Sequence, residues 1–400
     1  MKLKINPFVV SGHIPAEYFC DRQEEAQRLQ DFLCNQQNVV LSAARRMGKT
    51  ALIDHVFERP VIADNFITVS IDILDTSNLG EFVFVLGNAV FDRVAKRSEK
   101  MLKSFAMIMK SIQASFGYDP VLGTPTFDIK LGEIVRPEYT LREIFEFLDC
   151  ADRRCLIMVD EFQQIVYYPE KNVEATLRKY IQKVRNANFV FAGSHRRIMS
   201  EIFGSESRPF YNSARLIELE PIDFSIYSAF ARKQFQADGK DISEEAIREV
   251  YDTFKGVTLY NQQIMNDAYN ATPDGECCDR ESVKTLIYSY IQECSTKLRE
   301  LLQFVTEQQK GVLYAILEDE PVKAITSGAF TKKHHLKSPS ATQSAVKALL
   351  KMDMVTKKDG FYSISDSLMD NWLRATVLKE RQQDMSAIQS ESKKDRNVSF

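Results

Sequence analysis

The stretch from Asn38 to Phe57, NVVLSAARRMGKTALIDHVF, constrains this chain more than any other. Val39, Val40 and Leu41 form an apolar run that predicts a buried strand, and a helical pattern follows the loop as far as Phe57. Between the two lie Ala43, Ala44, Arg45, Arg46, Met47, Gly48, Lys49 and Thr50. A strand, a short loop and a helix in this order line up successive backbone N–H groups with a helix N-terminus, which makes a concave anion site. The loop through Ala51 is therefore expected to cradle the phosphates of a nucleotide, with Lys49 reaching the β- and γ-phosphates and the Thr50 hydroxyl on Mg²⁺. The usual pattern starts on Gly, and this chain has Ala43 there.

A second pattern has the matching chemistry. Arg153-Arg154-Cys155-Leu156-Ile157-Met158-Val159 runs into Asp160 and Glu161. An unbroken apolar run of this kind predicts a parallel-sheet strand buried on both faces. Ligands of open α/β sheets bind at the carboxyl ends of strands. Asp160 is thus placed to hold the Mg²⁺ shell, and Glu161 to orient or deprotonate a water. The alternative for this motif by itself is structural: two acids that close a strand and start a helix, with Asp as N-cap.

The 400 residues predict two or three domains, and 44% apolar residues suffice for large cores. A net charge of −3 exerts no global pull toward nucleic acid or anionic membrane, so any such patch must be local. No apolar run approaches a membrane span, and the N-terminal MKLKINPFVV lacks a signal-peptide core. Seven cysteines do not form a disulfide framework, and the adjacent Cys277-Cys278 has no second pair at zinc spacing. A reducing cytoplasm is the expected compartment.

Further along, Asp21 is expected to cap a helix from Gln23 to Asn35. Phe66–Asp72, Asn188–Ser194 and Leu216–Leu219 predict three more strands, and Leu79–Met109, Thr140–Ala151 and Val173–Arg185 predict helices. Thr126–Leu131 alternates strictly and predicts a hairpin or loop. After Pro221 the pattern is helical to about residue 300. A third unit follows: helices near Glu307–Leu317 and Thr342–Met352, then β-formers around Lys357-Lys358-Asp359-Gly360. Asp-Gly between β-formers is a strong hairpin signal, and helix, helix, hairpin predicts a winged helix-turn-helix. Trp372 is expected to pin the last helix to it. The expected domains are thus 1–220, 221–300 and 301–376, with a disordered polar tail at 377–400.

Several of these pieces together resemble the archaeal-type AAA ATPases of the signal-transducing P-loop kind, common in archaea and Bacteroidetes. They are Asn6-Pro7-Phe8, Phe19-Cys20-Asp21-Arg22, Arg45-Arg46-Met47-Gly48-Lys49-Thr50, Val159-Asp160-Glu161-Phe162-Gln163, Gly193-Ser194, Arg208-Pro209-Phe210-Tyr211 and Asp366–Trp372. The resemblance reaches to about residue 376. It implies an α/β P-loop core with a parallel sheet of order 5-1-4-3-2, a helical lid and a winged helix. It also implies that Ser194, with His195 a weaker candidate, senses the γ-phosphate or the attacking water. By the same resemblance Asp21 and Arg22 lie near the adenine, and Arg208 or Arg215 supplies an arginine to the γ-phosphate, in cis or from a neighbouring subunit. Related ATPases often carry an arginine in the lid, where this chain has Gly256-Val257-Thr258-Leu259-Tyr260.

Residues 331–360 carry seven lysines, Lys332, Lys333, Lys337, Lys347, Lys351, Lys357 and Lys358, against two acids. Such an excess suits phosphate contact. Gln343, Ser344 and Lys347 are expected on the outer face of the recognition helix and Lys357 and Lys358 on the wing, with His334 and His335 solvated. The sequence therefore predicts an ATP- and Mg²⁺-dependent, slow ATPase whose nucleotide state changes the angles between its parts, coupled to double-stranded DNA through the winged helix. The alternative is a nucleotide-gated switch that docks a protein, with little hydrolysis and no DNA binding; fold alone does not choose between them. No membrane partner is expected, and a homo-oligomer is compatible with either.

Overall fold

The computed structural model describes residues 5–111, 115–118, 125–128 and 134–378. They divide into two compact units, one of Ser11–Glu220 and the other of residues 5–10 with those from Pro221 onward. The expected tail from 379 and the Ile129–Leu131 end of the predicted hairpin lie outside the described residues.

The first unit is built on a five-stranded sheet: β1 (Val39–Ala43), β2 (Ile67–Asp72), β3 (Cys155–Asp160), β4 (Ala187–Gly193) and β5 (Arg215–Leu219). Their order is β2-β3-β4-β1-β5, all neighbours parallel, which is the predicted arrangement. β1, β3 and β4 are buried along their whole length, as their unbroken apolar runs require. β2 alternates buried and accessible residues, and so does β5 from Leu216 onward, as the two outer strands of the sheet. The core over one face is aromatic: Phe162 lies 4.5 Å from Phe191 and meets Phe210 edge-on at 5.4 Å. The segment Ser115–Tyr118 pairs antiparallel with Pro125–Asp128.

Two local expectations fail for identifiable reasons. The single helix predicted over Leu79–Met109 is three pieces, Leu79–Arg93, a 3₁₀ turn at Ala95–Arg97 and Glu99–Ile108. Ser98 takes extended backbone there and its hydroxyl accepts from the Met101 N–H, so it starts a new helix rather than continuing the old one. Asp21 does not cap its helix. The N-cap is Arg22, and both residues sit in the left-handed region, at φ 56° and 62°.

The second unit is helical from Phe224–Ala237 through Ser295–Gln303, with one two-residue parallel pairing of Asp241–Ile242 with Cys277–Cys278. Phe8 fills its core among Phe230, Phe235 and Tyr269. The winged helix follows: helices Glu307–Asp319, Gly328–Lys333 and Pro339–Lys351, then β6 (Val355–Lys358) and β7 (Phe361–Ile364). The third helix starts three residues earlier than predicted because Ser338 caps it and Pro339 fits its first turn. Asp359 and Gly360 form the two-residue turn between β6 and β7, both at positive φ, as a type I′ hairpin demands.

The last helix, Ser367–Leu373, grips the preceding helices as well as the winged helix. Trp372 is buried and donates to the Ser295 hydroxyl at 3.0 Å. Tyr260 donates to Asp366 at 2.8 Å, and Asn371 to the Thr253 carbonyl at 2.7 Å. Lys255 and Arg374 alternate with Glu320 and Asp370 in a four-member charge cluster, with every contact between 2.6 and 3.2 Å.

Candidate phosphate site

The carboxyl ends of β1, β3 and β4 converge. β1 releases the loop at Ala43, β3 delivers Asp160 and Glu161, and β4 delivers Ser194. Within the loop Arg46 and Gly48 have φ of 67° and 82°. Gly48 is the N-cap of the Lys49–Phe57 helix, and left-handed backbone there is what its lack of a Cβ permits. Met47 is buried and Ala44, Arg45 and Arg46 face outward. Ala43 is fully buried in β1.

Two side-chain bonds tie the strand ends together. The Thr50 hydroxyl donates to Asp160 at 2.7 Å, and the Ser194 hydroxyl donates to Glu161 Oε2 at 2.6 Å. Gln163 donates through Nε2 to that same Glu161 oxygen. Glu161 is left-handed, φ 53°, and its N–H donates to the Asp160 carboxylate at 2.9 Å. Asp160 therefore does not act as a helix cap. It faces Thr50, and the 3₁₀ turn Phe162–Tyr167 begins beyond Glu161.

Lys49 is buried, and its one described hydrogen bond is a long one, 3.4 Å to the Ala44 carbonyl. Burial lowers its pKa; Glu161 and Asp160 oppose that, while Arg45 and Arg196 push the same way as burial. Asp160 goes the other way: burial raises its pKa against the Thr50 and Glu161 hydrogen bonds. A buried ammonium with spare donors beside a hydroxyl–carboxylate pair fits a nucleotide phosphate with Mg²⁺, a cation that takes oxygen ligands.

The segment carrying Asp21 and Arg22 is fastened to the loop helix by Phe19, which stacks on His55 with ring centroids 4.2 Å apart and planes 1° apart. Arg22 is itself buried; one of its nitrogens bonds Glu25 at 2.9 Å and the other terminal nitrogen has no partner. The two arginines expected at the γ-phosphate have different surroundings. Arg208 lies 2.7 Å from Glu174, on a loop anchored by the fully buried Phe210, and its Nε is buried without a hydrogen-bond partner. Arg215 begins β5 opposite Val39, at the amino ends of the strands, with its guanidinium over Phe32. That is the wrong end of the sheet for a phosphate held by its own loop. His195 has a buried ring nitrogen without a partner. Two residues not anticipated from the sequence border the site: Gln163, which shares the Glu161 oxygen with Ser194, and Arg196, whose charge reaches Lys49. Arg196 was the more legible, two residues past Ser194 at a strand's carboxyl end.

On the winged helix, Gln343, Ser344, Lys347, Lys357 and Lys358 are all exposed, and Thr342, Ala345, Val346 and Leu349 form the buried face. Ser344 turns its hydroxyl back to the Ser340 carbonyl. His334 is not solvated. Its side chain is 5% exposed, with one ring nitrogen 3.2 Å from Glu318 and the other 2.8 Å from Asp319.

A family model described as an ATPase domain predominantly from Archaea matches residues 19–260, and one described as a probable winged helix domain matches 296–375. No curated protein matches the chain. Among solved structures, the Walker-type ATPase PABY2304 of Pyrococcus abyssi is similar at 17% identity and a TM-score of 0.65, covering 92% of this chain and 99% of that one. The ORC2 protein of Aeropyrum pernix, in its ADPNP–ADP complexes, is similar at 12% identity and a TM-score of 0.58, covering 93% and 98%. At these identities the likeness is one of fold. No described helix is long and apolar enough to cross a membrane.

Proposed function

The chain belongs to the ATPase family found predominantly in Archaea, with a C-terminal winged helix domain, and from that premise we propose that it binds ATP on the 43–51 loop and hydrolyses it slowly. The observation that carries this is the pair of bonds Thr50–Asp160 and Ser194–Glu161, which gather three strand ends around the buried Lys49. Lys49 holds the β- and γ-phosphates. Thr50 and Asp160 would hold Mg²⁺, which when bound neutralises charge on the phosphate oxygens. Glu161 takes the proton of the attacking water, and Ser194 meets the terminal phosphate.

Glu161→Gln tests the reading. A general base contributes about 10²–10⁴ in rate, so turnover should fall by that factor while Mg²⁺-ATP binding stays. Equal turnover in the two proteins would remove Glu161 from its role.

The winged helix is proposed to contact double-stranded DNA through Gln343, Ser344 and Lys347 with Lys357 and Lys358 on the wing. Support comes from their common exposure on one helix face and hairpin. Lys347→Glu with Lys358→Glu should weaken binding across all sequences and flatten its salt dependence; unchanged affinity would sink this part. One observation favours the second reading, a nucleotide-gated switch that docks a protein. Tyr260, in the lid stretch without an arginine, is committed to Asp366. Tight ATP binding with no turnover and no DNA affinity would select it.

A further inference from the structure

A general base works only if its carboxylate is held in one orientation toward the water. Two side chains hold Glu161. The Ser194 hydroxyl donates to Oε2 at 2.6 Å, and the Gln163 amide donates to the same oxygen. Among the described residues nothing donates to Oε1. The adjacent Gln164 does not share the task, since its amide donates to the Thr76 carbonyl at 2.9 Å. The fold makes a place for Gln163. Alternation along β4 puts Phe191 and Gly193 on one face. Phe162 packs on Phe191 with ring centroids 4.5 Å apart, and Gln163, the next residue, lies against Gly193, where a Cβ would stand 2.6 Å from its amide oxygen. Gln163 is 5% exposed, and no protein group donates to that oxygen. A buried amide with an orphaned acceptor costs stability, whereas an apolar side chain of the same length would not. Packing therefore does not account for an amide at this position; what the amide contributes is a donor to Glu161.

We propose that Gln163 is a positioning residue of this site: it holds Glu161 by Oε2 so that Oε1 receives the proton of the attacking water. The proposal rests on the ATPase reading above, with Glu161 as the base. The oxygen of water bonds to the γ-phosphorus, the bond from that phosphorus to the bridging oxygen breaks with its electron pair leaving on ADP, and the water proton passes to Oε1. Ser194 is the other donor to Oε2, but in that reading its hydroxyl turns to the terminal phosphate. Once it does, Gln163 is the donor left on Oε2. Without Gln163 the carboxylate turns about its own side-chain bonds, and the water meets a misplaced acceptor.

The test compares wild type, Gln163→Met, Glu161→Gln and the double variant in single-turnover hydrolysis of Mg²⁺-ATP, in ATP affinity and in melts without nucleotide. Methionine keeps the length and removes both the donor and the orphaned oxygen. Gln163→Met should therefore melt no lower than wild type and bind ATP as wild type does. Its turnover should be slower by about tenfold or more, toward the roughly 10²-fold that a misplaced reacting group costs. In the Glu161→Gln background the same substitution should change the rate no further, because the two residues act as one unit. Wild-type turnover in Gln163→Met, or an equal loss in both backgrounds, overturns the proposal and leaves the ATPase reading standing. If the Met variant melts lower or does not fold, Gln163→Ala decides by the same two comparisons, because it removes the donor and crowds nothing beside Gly193. A Glu161→Gln protein that turns over like wild type, or a wild type that hydrolyses no ATP, fails at the earlier step and removes both proposals.

Discussion

Gly193→Ala should destabilise the first unit by an amount that the surroundings set. A Cβ built on Gly193 would stand 2.5 Å from the Met199 sulfur and 2.6 Å from both the Met199 Cγ and the Gln163 amide oxygen. Ordinary contact begins near 3.4 Å, so each neighbour must give way by almost an ångström. Met199 is an adaptable side chain and can move. Gln163 is held at its other amide atom by Glu161 and is 5% exposed, so it moves only by releasing that carboxylate. Overpacking a tight core costs about 1–3 kcal/mol. For a unit of this size about 2 kcal/mol corresponds to a fall in Tm of roughly 4–8 °C. Differential scanning calorimetry of the two proteins without nucleotide measures it. Gly193→Ala should cost less when introduced into a Met199→Ala protein than into wild type, because the two residues are in contact and such effects do not add. A Gly193→Ala protein that melts with wild type, with Met199 in place, would refute the close approach of β4 to Met199 and Gln163.

Two further outcomes follow from charges at named places. Lys49→Ala should leave the nucleotide-free Tm close to wild type, since the buried ammonium has only one long hydrogen bond there, yet abolish the shift from saturating Mg²⁺-ATP. At one hundred times Kd that shift is worth about 2.7 kcal/mol in wild type, and an equal shift in the mutant would remove Lys49 from the site. Asp319 in the winged helix is held below its usual 3.8 by hydrogen bonds from Lys333 first and then His334. A depressed acid stabilises the fold above 3.8 and stops doing so as pH falls through its lower folded value. Asp319→Asn should therefore be less stable than wild type at neutral pH, with the two converging in melts taken progressively below pH 3.8; a constant gap at every pH would contradict the pairing.

The phosphate site was legible wherever one strand's pattern carried the answer. Val39–Leu41 and Cys155–Val159 are unbroken apolar runs, so their carboxyl ends, and hence Lys49, Thr50, Asp160 and Glu161, could be placed before any contact was known. The surroundings of Arg196, Arg208 and Arg215 are not legible in the same way. What distinguishes them is which end of a strand each faces and which carbonyl or carboxylate it finds, and those follow from the order β4-β1-β5, with partners more than twenty residues away. His334 departs from its expected solvated place for the same reason. A histidine between lysines looks solvated in sequence, and only the fold brings Glu318 and Asp319 to both sides of its ring. The broken helix after Arg93 was hidden by composition, because Leu, Phe, Val and Ala keep helical spacing across Ser98, whose hydroxyl competes for the backbone.

The place of Phe8 bears on how the chain is made. Asn266 donates to the Phe8 carbonyl at 2.7 Å from 258 residues further along, and the rings around Phe8 reach as far as Tyr269. Ribosomes add about 5–20 residues per second, so this early apolar side chain waits about 13–50 s for its seat to be synthesised. The Ser11–Glu220 unit is complete well within that interval and can fold first. The nascent chain thus carries a phenylalanine without its seat throughout that interval, a handle for a chaperone and a vulnerable point if elongation stalls between Glu220 and Asn266.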